Sequence, residues 1–186
     1  RIRESSEKAI RHAKQMGYDI IMLTGDRQEA ADTLAQEIGI ETVFAGVKPD
    51  EKALHVKRLQ DEGRSVAMVG DGINDAAALS VANVGIAMGA GSDIALDAAD
   101  FVLLRNDLID AVSSLSLGRS TMRRIRGNLG WAFVYNAIGI PLGMGVMLPF
   151  TGFLLPPAFA AAAMSLSSVS VVGNSLLLRW WKPIRE

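Results

Sequence analysis

The spacing of apolar and polar residues predicts strands that alternate with helices through the N-terminal half of this 186-residue chain. Helices are expected at Glu4–Met16, Gln28–Ile38, Pro49–Glu62 and Asp75–Ala82, with a short one near Gly89–Asp93. Short apolar runs predict strands at Asp19–Leu23, Thr42–Ala45, Ser65–Met68, Val84–Ala87 and Phe101–Leu104. This alternation favours an α/β fold with a Rossmann-like parallel sheet and helices on both faces.

The second half of the chain has a different pattern. Residues 129–178 contain no Asp, Glu, Lys or Arg, a run of 50 residues. One membrane-spanning helix needs roughly 20 apolar residues, so the run is long enough for two spans. Prolines and a glycine supply a connection at residues 149–157. We therefore predict an all-α transmembrane hairpin after a long helix that follows Asp107, with a buried helical hairpin of a soluble protein as the alternative.

Basic residues flank the apolar run on both sides. They are Arg119, Arg123, Arg124 and Arg126 before it, and Arg179, Lys182 and Arg185 after it. Because positive charge marks the cytoplasmic side of a membrane protein, both ends of the chain are expected in the cytoplasm. The charged stretch Arg1–Glu4 lacks the apolar core of a signal peptide.

Composition narrows the chemistry only slightly. The formal net charge of −1 gives no sign of a nucleic-acid partner. The chain has no cysteine, which excludes disulfides and thiolate metal sites within it.

The stretch Met68–Ala76 carries the strongest chemical signal. An apolar strand stops at a glycine, and Asp71 and Asp75 follow within one turn, with Asn74 between them. Ligands of open α/β sheets bind beyond the carboxyl ends of the strands. Two carboxylates there suit a Mg²⁺ ion that also contacts a phosphate, with Asp71 as main ligand, Asp75 in support and Asn74 donating to a phosphoryl oxygen. The alternative is an ordinary turn followed by a helix cap.

A second strand end carries compatible groups. Thr24, Gly25 and Asp26 offer a hydroxyl and backbone N–H groups near a helix N-terminus, a place that favours anions. Lys52, early in the helix that begins at Pro49, would bring a positive charge to the same phosphate, although a lone helical lysine is usually solvated. These are parts of a phosphoryl-transfer site. A nucleophilic aspartate upstream and a GxxxxGK[ST] loop are both missing.

Three motifs together resemble the haloacid-dehalogenase-type phosphorylation domain of P-type ATPases. They are Thr-Gly-Asp at 24–26, Pro-Asp-Glu-Lys at 49–52 and Gly-Asp-Gly-Ile-Asn-Asp at 70–75. The apolar hairpin is similar to the end of heavy-metal pumps. Tyr135-Asn136 and Met164-Ser-Leu-Ser-Ser168 resemble motifs of their copper(I)-exporting subgroup.

The resemblance implies an aspartyl-phosphate cycle that is driven by ATP and exports Cu⁺. It divides the chain into the C-terminal part of the phosphorylation domain (1–106), a connecting cytoplasmic helix (107–128), two transmembrane helices (129–178) and a cytoplasmic tail (179–186). The nucleophilic aspartate, nucleotide domain and Cys-Pro-Cys span of such pumps are not in this sequence. We therefore expect a fragment or the tail of a longer polypeptide, inactive when alone.

The same resemblance assigns Tyr135, Asn136, Met164 and Ser168 to the path of Cu⁺ through the membrane. Polar groups inside a bilayer are costly unless they are paired or functional, and a methionine thioether is a soft ligand that suits Cu⁺. Core packing of the methionine and close helix contact at the serines are the alternatives. Neither predicted span contains Asp, Glu or His, which argues against a zinc or cadmium pump.

Cofactors and partners also follow from the resemblance. We expect Mg²⁺, ATP as substrate and Cu⁺ as the transported ion, with the bilayer of the cell membrane, the rest of the same pump and a copper chaperone as partners. Two departures from the family pattern, Ala77 where proline is usual and Arg27 where asparagine is common, are not expected to abolish the site. Two other functions stay open: a membrane-anchored phosphatase of the same fold, and an inactive metal-binding membrane fragment.

Overall fold

The structure is a computed structural model that describes residues 4–70, 74–89, 98–152 and 156–184. Its strands are β1 (Ile21–Leu23), β2 (Thr42–Phe44), β3 (Ala67–Gly70), β4 (Val84–Met88) and β5 (Phe101–Leu103). Its helices are α1 (Glu4–Gln15), α2 (Gln28–Ile38), α3 (Pro49–Asp61), α4 (Ala76–Val81), α5 (Leu108–Gly143), α6 (Leu148–Thr151) and α7 (Pro157–Leu176), followed by a 3₁₀ turn at Leu177–Trp180. The short helix expected near Gly89–Asp93 falls almost wholly outside the described residues.

The chain divides into two compact units. The first unit comprises Arg1–Ser114 together with Pro183–Glu186, and the second comprises Leu115–Lys182. Helix α5 passes from the first unit into the second without interruption. The four-segment division expected from the sequence, with boundaries after residues 106, 128 and 178, stays a prediction.

Every strand pair in the first unit is parallel, as predicted, but the described strands form two sheets. In one sheet β1 pairs with β2, and Ile21 aligns with Thr42. In the other the order is β3-β4-β5, and Ala67 aligns with Val84. The two motif-bearing strands, β1 and β3, are therefore not hydrogen-bonded neighbours. Each of them pairs with the strand that follows it through a single helical crossover.

Two clusters of buried side chains hold the first unit together. One joins α3 and α4 to strands β3 and β4 through Val56, Met68, Ala78, Leu79 and Ala87. The other joins α1 to the start of α5 through Ala9, Ala13, Ile109 and Val112. The first cluster therefore fixes β3, which ends at Gly70, and α4, which begins at Ala76.

Local signals in the sequence explain where the helices of the first unit begin and end. Helix α2 ends at Gly39, whose φ of 76° is a left-handed conformation that glycine adopts without strain. Helix α3 begins at Pro49, and the carboxylate of Glu51 accepts a hydrogen bond of 3.0 Å from the N–H of Lys48. These caps place Lys52 in the first turn of α3.

Among the residues that the structure describes, none of the helices is long and apolar enough to cross a membrane. The predicted transmembrane hairpin is therefore not supported.

Candidate functional site

Hydrogen bonds hold the turn after β1 in shape. The Thr24 hydroxyl donates to Asp26 Oδ2 at 2.9 Å and accepts from the backbone N–H of Asp26 at 3.1 Å. The Thr24 N–H donates to the carbonyl of Phe44 at 3.0 Å, and the Val47 N–H donates to the carbonyl of Thr24, also at 3.0 Å. Gly25, between the two side chains, is exposed. The turn is thereby fastened to the segment that leads from β2 into α3.

Lys52 and Asp75 form the least exposed ion pair that the structure describes. Lys52 Nζ donates to Asp75 Oδ1 at 2.6 Å, and the two side chains are only 14% and 10% exposed. A charge-assisted bond with so little water around it is among the stronger polar contacts in a protein. It brings together two of the predicted site residues, one from the first turn of α3 and one from the residue before α4.

The side chain of Asp75 does not act as an ordinary helix cap. Asp75 occupies the N-cap position of α4, yet its side chain makes no capping hydrogen bond. It folds back over the end of β3 instead, because a Cβ added at Gly70 would lie 2.8 Å from Asp75 Cβ and 2.9 Å from its Cγ. Asn74 beside it is exposed, and Asp71 lies outside the described residues. The glycine that ends the strand is thus a positioning residue for Asp75, a role that the sequence analysis did not assign.

The start of α3 links the two strand ends. Its preceding segment holds the Thr24–Asp26 turn, and its first turn supplies the lysine that binds Asp75. A cation, a hydroxyl and backbone N–H groups can hold a phosphate. Within the described residues there is no group of three or more His, Cys, Asp or Glu side chains that could hold a metal ion. The Mg²⁺ site at Asp71 and Asp75 therefore stays a prediction.

The residues predicted for the Cu⁺ path lie on two helices of the second unit. Tyr135 and Asn136 are on α5, and Met164 and Ser168 are on α7. The Tyr135 ring lies with its centroid 6.4 Å from that of Trp131, and the Asn136 amide donates at 2.9 Å to a carbonyl four residues earlier in its own helix. The side chain of Met164 lies outside the described part of the chain. Their role in a Cu⁺ path stays a prediction.

A chain of side-chain hydrogen bonds joins α5 to α7 in the second unit. Arg124 Nη1 donates to Asn174 Oδ1 at 2.8 Å, and Asn174 Nδ2 donates to Asn128 Oδ1 at 2.7 Å. Asn128 Nδ2 then donates to Ser175 Oγ at 2.9 Å. The sequence analysis missed this network. An asparagine at each end of a long uncharged run was the signal that would have indicated it, because amides among apolar residues need partners.

Two family models match the first part of the chain. Both are described as haloacid dehalogenase-like hydrolases, and they match residues 1–83 and 52–115. The parallel α/β part of the first unit therefore has the haloacid dehalogenase-like fold, as predicted.

Curated proteins similar to the chain are copper transporters that are ATPases by name, and therefore enzymes. The copper-exporting P-type ATPase of Vibrio cholerae serotype O1 is 49% identical over 97% of this chain and 20% of that protein. Copper-transporting ATPase 1 of Mus musculus is 50% identical over 97% of this chain and 12% of that protein. The probable copper-transporting ATPase PacS of Synechococcus elongatus is 50% identical over 98% of this chain and 24% of that protein. The chain thus spans a quarter or less of the length of these relatives.

Solved structures agree with this relationship. A zinc-transporting PIB-type ATPase in its E2.Pi state is similar with a TM-score of 0.81 and 35% identity, over 96% of this chain and 28% of that one. The catalytic domain of the CPx-ATPase CopB-B is similar with a TM-score of 0.53 and 35% identity, over 60% of this chain and 44% of that one. The first of these likenesses covers nearly the whole chain, and the second covers little more than half of it.

Proposed function

We infer that the chain belongs to the copper-transporting P-type ATPases, of which it is a C-terminal part. We propose that the full-length protein exports Cu⁺ in an ATP-driven cycle with an aspartyl-phosphate intermediate. The observation that carries this proposal is the enclosed contact between Lys52 and Asp75. It joins the Pro-Asp-Glu-Lys motif to the Gly-Asp-Gly-Ile-Asn-Asp motif in a chain that shares about half its residues with copper-transporting ATPases.

Four predicted site residues of the first unit, Thr24, Asn74, Lys52 and Asp75, would bind or position the phosphoryl group. The Thr24 hydroxyl, in exchange for its bond to Asp26, would donate to one phosphoryl oxygen, and Asn74 would donate to another. Lys52 neutralises part of the charge that develops on those oxygens, and Asp75 keeps the lysine extended towards the site. Positioning and charge neutralisation account for most of the catalysis in phosphoryl transfer. These roles fit a site that receives the phosphoryl group from ATP bound elsewhere in the protein.

The nucleophilic aspartate would come from residues beyond those described. Each of the strands β1 and β3 has one hydrogen-bonded neighbour among the described strands, which leaves each with an open edge. An open edge is a template for a further strand. A parallel strand added to such an edge would deliver its carboxyl end beside Thr24 or Asp75, where a nucleophile is needed.

Mg²⁺ would be held chiefly by Asp71. One oxygen of Asp75 accepts a hydrogen bond from Lys52, and its second oxygen is the more available one for a metal or a metal-bound water. Hard carboxylate oxygens next to a phosphate match the preference of Mg²⁺, which usually keeps several waters. When bound, the ion would supply positive charge against the phosphoryl oxygens.

We extend the proposal to the second unit, which would lie in the cell membrane with both chain ends in the cytoplasm. Large apolar side chains are strongly exposed there, among them Phe133 (73%), Phe150 (82%) and Phe159 (66%). Exposed apolar surface of this kind marks contact with lipid or protein. Tyr135 and Asn136 with Met164 and Ser168 would form the Cu⁺ path, and a copper chaperone is a candidate source of the ion.

Phosphorylation of the full-length protein by radiolabelled ATP tests the proposal. Cu⁺ should raise the phosphoenzyme yield, and Asp71→Asn should abolish it, whereas Asp61→Asn on the exposed end of α3 should leave it unchanged. A normal phosphoenzyme yield in the Asp71 variant would remove that residue from the site.

The identity of the metal separates the remaining possibilities. Stimulation by Zn²⁺ instead of Cu⁺ would favour the cargo named for the similar solved structure. Hydrolysis of para-nitrophenyl phosphate without any dependence on Cu⁺ would favour a membrane-anchored phosphatase. The 186 residues alone should hydrolyse no ATP, and turnover by the isolated chain would contradict the proposal.

A further inference from the structure

The last described residues of the chain return to the first unit. Pro183 and Ile184 belong to that unit, although the preceding residues 115–182 form the second one. The backbone N–H of Ile184 donates to Ser113 Oγ at 3.2 Å, and Ser113 Oγ in turn lies 3.4 Å from the carbonyl of Ile184, to which it donates. Ser113 is 5% exposed, so water competes little for these bonds. The backbone of the tail is thus held by a buried side chain.

The side chain of Ile184 adds an apolar contact to this attachment. It packs against the buried cluster formed by Ala9 and Ala13 of α1 and by Ile109 and Val112 of α5. The two alanines are 0% and 4% exposed, and Ile184 is a partly buried residue that packs against their cluster. The tail is therefore attached to the core of the first unit by both polar and apolar contacts.

The contact between Ser113 and Ile184 joins the two places where the chain leaves the first unit and returns to it. Helix α5 leaves the first unit after Ser114, one residue beyond Ser113, and the chain returns at Pro183, one residue before Ile184. The contact between Ser113 and Ile184 therefore closes the loop of residues 115–182 at its base.

We propose that Ser113 and Ile184 form a clasp that couples the transport helices to the phosphorylation domain. The clasp makes the chain segment behind α7 move together with the start of α5 when the first unit changes conformation. Both residues are positioning residues, because neither reaches the phosphoryl site. This proposal depends on the function proposed above, since it concerns the link between phosphorylation and transport.

The main experiment compares Cu⁺ transport with ATP hydrolysis by the full-length protein in inverted membrane vesicles. Ile184→Ala should lower the Cu⁺ carried per ATP hydrolysed, while phosphoenzyme formation continues. Ile184→Val should keep the ratio, since it retains a branched apolar side chain. An unchanged ratio in the alanine variant would overturn the clasp.

The serine provides a matched pair of variants. Ser113→Ala removes both hydrogen bonds to Ile184 and should also lower the ratio, and Ser113→Thr should restore it by keeping a hydroxyl. Ser114→Ala is the control, because the hydroxyl of Ser114 donates at 2.9 Å to the carbonyl of Asp110 in its own helix. Equal losses at positions 113 and 114 would show that any serine lost from α5 has this effect, and would refute the clasp.

A second measurement does not depend on transport. Inorganic phosphate with Mg²⁺ is added to the full-length protein, and amide hydrogen exchange is followed in peptides covering α7. The clasp predicts that phosphate changes exchange in α7 of the wild-type protein and that Ile184→Ala abolishes this change. If phosphate leaves α7 unaffected, or affects it equally in the variant, the clasp is refuted. Absence of Cu⁺-stimulated hydrolysis in the wild-type protein would instead count against the proposed function.

Discussion

Removing the lysine of the enclosed ion pair gives the most direct test of the site. Lys52→Ala leaves the carboxylate of Asp75 without its partner in a place where that side chain is only 10% exposed. Breaking a buried pair by removing one partner costs about 3–5 kcal/mol. Because the two side chains retain 14% and 10% exposure, some water reaches the orphaned carboxylate, and we expect about 2–4 kcal/mol.

An exposed ion pair in the same helix is the control. Arg58 and Glu62 lie 3.5 Å apart with side chains that are 77% and 49% exposed. A pair of this kind contributes about 0–1 kcal/mol, so Arg58→Ala should change the stability of the first unit little. Both variants also remove a long helical side chain, which makes their difference a measure of enclosure.

The assay is unfolding in urea, and the probe of unfolding is pulsed amide hydrogen exchange in peptides that cover α3 and α4. With a denaturant dependence of about 2 kcal/mol per molar urea, Lys52→Ala should lower the midpoint by about 1–2 M, and Arg58→Ala by less than about 0.5 M. The double variant Lys52→Met with Asp75→Leu should recover much of the loss, since apolar replacements tolerate burial. Equal effects of the two alanine variants would refute the view that Lys52 and Asp75 form an enclosed pair.

Three further changes have outcomes that follow from single contacts. Gly70→Ala should displace the Asp75 side chain and abolish phosphoenzyme formation in the full-length protein, because the new Cβ would lie 2.8 Å from Asp75 Cβ. Asn174→Leu should destabilise the second unit by about 1–3 kcal/mol, the cost of unpaired polar partners, as measured by tryptophan-fluorescence melting. The ammonium of Lys14 holds the pKa of the Glu41 carboxyl below its usual value. Lys14→Ala should therefore raise the titration midpoint of Glu41 in carbon-13 NMR, and in the unaltered chain their contact should persist above the usual pKa of Glu41 and be lost as pH falls through the lowered value.

The order and type of the helices and strands in the first unit were predictable, because local residues such as prolines, glycines and apolar runs set where these elements begin and end. Helix α2 was predicted at Gln28–Ile38 and is observed there, since its apolar spacing and the following glycine act locally. Strand β3 was predicted at Ser65–Met68 and is observed at Ala67–Gly70. Its true end is set by pairing with β4, in which Gly70 aligns with Ala87. Because Gly70 has no side chain, the pattern of apolar residues did not predict that the strand extends to it.

Contacts between residues that are distant along the chain were harder to predict from the sequence. The motifs predicted that Lys52 and Asp75 share a site, but not that they bind each other, because that contact depends on how α3 packs against α4. The attachment of Ile184 to Ser113 could not be predicted either, since the two residues are 71 positions apart and neither is unusual by itself. The division of the strands into two sheets also depends on such long-range pairing.

Because the Lys52–Asp75 contact is enclosed, dissolved salt should screen it very little. At physiological ionic strength charges in solvent are screened over about 8 Å, and at 1 M salt over about 3 Å. Exposed contacts such as that between Arg58 and Glu62 should weaken across this range, whereas the enclosed contact, made at 2.6 Å, should not. The geometry of the proposed phosphoryl site is therefore expected to be the same in dilute buffer and in concentrated electrolyte, and only the approach of anionic ligands through solvent should slow as salt rises.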